Sequence, residues 1–130
     1  MLTPEEEVKE TISAYRQEME KLQLDKQFIE IKLRRASLHA DEMEQDAQRI
    51  KILVDDAYNK VISATSNSPS NEITLHGYMN LTERYEHVLS IRDIEKQLER
   101  DLTETRDSLT RRIRELNDTI CSMERSLLSY

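Results

Sequence analysis

Apolar side chains recur along the first half of the chain at alternating intervals of four and three residues: Val8, Ile12, Tyr15, Met19, Leu22, Lys26, Ile29, Leu33, Ala36, Ala40, Met43, Ala47, Ile50, Val54, Ala57, Val61 and Ala64. Lys26 is the only polar member of the row. A strict seven-residue repeat keeps one stripe of a helix facing a partner only when the helices supercoil left-handedly, so the spacing predicts a coiled coil. At about 1.5 Å per residue the helix is about 90 Å long, which no single core of a small globular domain accommodates. The row is therefore read as an oligomerisation seam. Its later half is rich in alanine, which buries little area but lets backbones approach, so that half should pack closely or receive larger side chains from its neighbour. A lone charged seam residue such as Lys26 acts as a register or oligomer-state device.

The first helix is expected over about residues 4–65. In "TPEE", Thr3 caps, Pro4 supplies the preset φ of the first turn, Glu6 completes a capping box, and Glu5 to Glu7 meet the positive end of the dipole. The pattern stops at "SNSPSN", residues 66–71, where Ser and Asn compete with helical hydrogen bonds and Pro69 disfavours helical geometry before it. A turn is expected over about 66–77, with Asn80 and Glu83 offering a second capping box; the alternative is an earlier helix start near Asn71 that Gly77 interrupts.

Periodicity returns at Leu81, Tyr85, Val88, Ile91, Ile94, Leu98, Leu102, Thr105, Leu109, Ile113, Leu116, Ile120, Met123 and Leu127, predicting a second helix over about 78–129. Its spacing is irregular, three-three-three and then four-four, as in stammers and stutters. Two helices joined by a short connection fold back as antiparallel neighbours, so the expected fold is all-α: one domain, 1–130, forming a long antiparallel coiled-coil hairpin that assembles into a multi-helix bundle. Folding about residue 72 sets Ala64 near Asn80, Met43 near Asp101 and Leu33 near Arg111. The competing arrangement leaves both helices extended, each pairing with the same segment of another chain.

The first helix also has more apolar residues than one seam uses. Leu24, Phe28, Ile31 and Leu38 repeat by fours and threes on a second face, with Arg35 between them and Ile52 farther along the same row. Exposed apolar rows mark contact surfaces, so these residues, with Arg34, are the expected partner-binding set. In the folded-back register, Lys32, Arg34 and Arg35 would meet Arg111, Arg112 and Arg114 in a basic band able to dock an acidic segment such as Glu5 to Glu7 or Asp41 to Asp46. Like charges repel, so the same clustering also counts against that register.

Composition narrows the function class. One Gly, two Pro and 35% charged residues argue against turn-rich globular folds, and the periodicity argues against disorder. The net charge of −7 opposes nucleic-acid binding. No apolar run approaches the roughly 18 residues of a membrane span, and "MLTPEEE" is not a signal peptide. A single cysteine, Cys121, fits a reducing cytoplasmic or nuclear setting. Glycine-rich phosphate loops are absent, Glu83 and Glu86 lie at the wrong spacing from His87 for a bundle metal site, and nothing orients a base toward Cys121 or the serines. No enzyme chemistry, cofactor or small-molecule substrate is expected.

"LRRASL", residues 33–38, looks like the recognition motif of cAMP-dependent protein kinase, which makes Ser37 a candidate phosphosite. The seam claims Leu33 and Ala36 and the second row claims Leu38, so helix packing accounts for the same letters. The expected role is a structural interaction module that spaces or docks subunits of a cytoskeletal, centrosomal, kinetochore or tethering assembly, its partner being itself or another coiled-coil protein. The alternative is a client-holding chaperone resembling prefoldin, in which "KVISAT" and "EITLHG" around "SNSPSN" would be short strands. Because apolar periodicity runs to the closing "ERSLLSY" without a capping glycine, the chain is also read as a segment of a longer protein.

Overall fold

The computed structural model describes residues 1–63 and 69–129, the side chains of 69–71 excepted. Two helices, α1 over Pro4–Ser63 and α2 over Pro69–Leu127, pack against each other as an all-α helical hairpin. Thr3 caps α1 as its sequence implies: its Oγ1 accepts the Glu6 amide at 3.2 Å, and its carbonyl accepts the Glu7 amide at 3.0 Å. At the other end α2 tightens into a final turn, with Leu128 N–H donating to the Arg125 carbonyl and Ser129 N–H to Ser126, each at 3.1 Å.

The expected turn over 66–77 is corrected from Pro69 onward; residues 64–68 lie outside the described residues, Ala64 and its expected neighbour relation among them. Pro69 opens α2, where a fixed φ and a missing N–H cost nothing, and Glu72 sits favourably in the first turn. Gly77, Asn80 and Glu83 lie inside the helix. One glycine costs a helix only about 1 kcal/mol, too little to halt it between apolar residues that pack. The strands of the chaperone resemblance are corrected too: Lys60–Ser63 and Glu72–Gly77 are helical.

The chain divides into two compact units to which both helices contribute: Met1–Arg34 with Arg100–Tyr130, and Arg35–Glu99. In the first, Ile12, Leu116 and Ile120 are buried, and two ion pairs join the helices, Arg16 with Glu124 and Arg112 Nη2 with Glu18 Oε1 at 3.2 Å. In the second, Ala36, Ala40, Ala47 and Ile50 form the buried stripe. Arg92 Nη1 donates to Glu44 Oε2 at 2.9 Å, Lys96 Nζ lies 3.9 Å from the same oxygen, and the Tyr58 and Tyr78 rings stack obliquely with centroids 5.8 Å apart.

With the heptad lettered a to g and the seam at a and d, Arg16, Glu124, Glu44 and Lys96 all occupy e, and Glu18 and Arg112 occupy g. Pairing of e with e and g with g is the flanking geometry of an antiparallel coiled coil. These pairs set the register in each unit. Leu33 is level with Leu102 rather than Arg111, and Met43 with Arg92 rather than Asp101, so the expected register is corrected by about two and a half turns. The reason is the earlier start of α2, at Pro69 rather than about residue 78, which brings Tyr78 beside Tyr58.

Every a and d residue of α1 from Val8 to Val61 is buried or half-buried, as the spacing implies. For α2 the irregular seam is corrected to a strict one. The inward residues are Leu81, Tyr85, Val88, Arg92, Glu95, Glu99, Leu102, Arg106, Leu109 and Ile113, and the row continues by fours and threes through Leu116, Ile120, Met123 and Leu127. Ile94, Leu98 and Thr105, expected inside, are exposed. At two of the four charged inward positions α1 offers alanine opposite, Ala36 being level with Glu99 and Ala40 with Glu95, whereas Arg92 is level with Met43 and Arg106 with Ile29. Long stems cover the small residues while the charged ends reach the edge of the seam.

Candidate interaction surface

Residues at c and f point away from the seam of a two-helix coil. In the first unit Leu24, Phe28 and Ile31 alternate between f and c on α1, and they are 58, 64 and 43% exposed. Two turns of helix thus present three large apolar side chains to water, in the spacing that packs against another helix. Arg34 is exposed beside them. In the second unit Arg35, Leu38 and Ile52 fall on the same lettered row and are also exposed. The residues expected as an oligomerisation seam, Ile12, Tyr15, Met19, Leu22, Lys26, Ile29, Leu33, Met43, Ile50 and Val54, are buried or half-buried within the single chain.

The basic band does not assemble. In the first unit the corrected register puts Arg34 level with residues 101 and 102, about two and a half turns or more from Arg111 and Arg114, while Arg112 is drawn to Glu18 at 3.2 Å and to Glu115 at 3.7 Å. Six cations on one stripe would repel. The observed register instead sets Arg112 against carboxylates.

The second unit holds an ionic cluster that apolar spacing does not disclose. His39 Nδ1 lies 2.9 Å from Glu95 Oε1, and Arg92 is shared between Glu44 at 2.9 Å and its neighbour Asp93 at 3.0 Å. Hydrogen bonding to Glu44 first, and to Asp93, raises the Arg92 pKa above the usual arginine value, so it stays charged. Arg92 and Glu95 are only 23 and 20% exposed, as expected of seam positions. The signal that would have found them is phase: counting by fours and threes from Val88 forward and from Leu109 back meets without a slip through Arg92, Glu95, Glu99, Leu102 and Arg106.

Ser37 is half-buried near the middle of α1, with Ala36 beside it in the seam. A kinase that takes its substrate extended would have to unwind that helix first. No cluster of three His, Cys, Asp or Glu side chains suited to a metal occurs among the described residues, and no helix there is long and apolar enough to cross a membrane. Comparison with protein families, curated proteins and solved structures yields no match.

Proposed function

We propose that this chain is a structural interaction module, a coiled-coil hairpin that docks a further helix on the outer face of α1 and so spaces or joins subunits of a larger assembly. The exposed row Leu24, Phe28 and Ile31 carries this reading. The hairpin seam is filled from within the chain, so these side chains are not needed to close it. A solvated helix gains solubility from polar c and f residues, whereas three large apolar ones in helical spacing favour a packed neighbour. An intracellular setting accords with the single, half-buried Cys121.

A photoreactive phenylalanine analogue placed at Leu24 in cells that make the protein tests the reading. Irradiation is expected to yield an adduct of defined mass that disappears when Phe28→Glu is added. A helix face that yields no adduct, or one that Phe28→Glu leaves intact, contradicts docking there.

A further inference from the structure

The outer face of α1 in the first unit carries charges that discriminate among occupants, and the inference rests on the reading that this face docks a helix. Leu24, Phe28 and Ile31 are flanked on one side by Glu20, Gln27 and Arg34 at b, and on the other by Asp25 and Lys32 at g. All five flanking residues are exposed. If the apolar row acts as a seam, these flanks are the positions whose charges set strand orientation.

Two copies pairing parallel and in register would bring flanking residues five apart into contact, setting Glu20 of each copy against Asp25 of the other. That is a like-charge clash made twice. Antiparallel pairing centred between residues 29 and 30 behaves differently. Phe28 of each copy then packs against Ile31 of the other, Glu20 meets Arg34 twice, and Gln27 meets its own symmetry mate. The offset is the one by which Glu18 meets Arg112 in the hairpin. Lys32 faces its own symmetry mate at the exposed rim, where screening keeps the repulsion small.

We propose that the occupant is a second copy of this chain, bound antiparallel across a two-fold axis between residues 29 and 30 of α1. The interface is isologous, so each favourable pair occurs twice. Its apolar centre is confined to the two Phe28–Ile31 contacts, Leu24 of each copy lying level with Arg35 of the other, and the dimer forms in a concentration-dependent way.

Light scattering of the full chain in a Cys121→Ser background, over about a hundredfold range of concentration, reads the assembly directly. The mass is expected to rise from one chain toward two, and Phe28→Glu should hold it at one while circular dichroism stays helical. Glu20→Arg should weaken dimerisation about tenfold by setting cations together, and adding Arg34→Glu should restore it. Gln27→Cys should oxidise to a linked dimer faster than a control Gln48→Cys.

A mass of one chain throughout, a dimer indifferent to Phe28→Glu, a charge reversal that does not rescue, or equal oxidation at both cysteines overturns the proposal. The photo-adduct at Leu24 separates this inference from the docking reading beneath it. An adduct with a different protein removes the self-pairing and leaves docking intact, while no adduct removes both.

Discussion

Ala40 and Glu95 face each other in one layer of the seam, and their contrast shows how the second unit packs. Ala40 is 2% exposed although it contributes only a methyl group. Glu95 keeps its carboxylate 2.9 Å from His39 Nδ1 at the edge, so an acidic residue sits inward with a polar partner for its oxygen. Among the described residues no buried side-chain polar atom lacks a partner. Residue identity alone therefore misleads about burial here: Ile94, one position earlier, is 65% exposed. Replacing Leu116→Ala in the first unit should cost about 2–4 kcal/mol in chemical denaturation, because a buried seam side chain leaves a cavity. Replacing Ile94→Ala should cost under about 0.5 kcal/mol, since little is lost at an exposed site. Equal costs would return Ile94 to the seam and undo the corrected phase of α2.

At the scale of elements, α1 was legible almost completely. Its cap at Thr3, its acidic first turn and its inward row all follow from the spacing of residue types, because nearly every inward residue is apolar. The row Leu24, Phe28 and Ile31 was legible for the same reason, being surplus to that seam. α2 is harder to read because four of its inward residues, Arg92, Glu95, Glu99 and Arg106, are charged, so apolar spacing points sideways to Ile94 and Leu98. Its start was misplaced because Pro69 and Gly77 resemble turn residues, whereas Pro69 is a helix opener. Gly77 supports a direct test. A Cβ added there meets nothing within 4 Å, so Gly77→Ala should stabilise the protein by about 0.5–1 kcal/mol, read as a rise in Tm of about 3 °C. No gain, or a loss, would mean that residue 77 does not sit in a helix.

At the scale of the whole molecule, the hairpin is oriented by charge more than it is held by it. Exposed ion pairs are worth about 0–1 kcal/mol each, but the e and g pairs discriminate among registers because a slip sets unlike partners apart. Glu44 is the informative case. It lies close to both Arg92 and Lys96, and in the register centred on residue 72 it would have faced residue 100 instead. One chain closes on itself in this register, with charged residues of α2 in the seam. Zero-length carbodiimide cross-linking followed by mass spectrometry tests that claim most directly, since Lys96 Nζ and Glu44 Oε2 stand 3.9 Å apart and both side chains are accessible. The expected product is a Glu44–Lys96 amide in the monomer band, retained in the Phe28→Glu variant. The same link found only between two chains, or Lys96 joined instead to a carboxylate two turns or more from Glu44, would contradict the account.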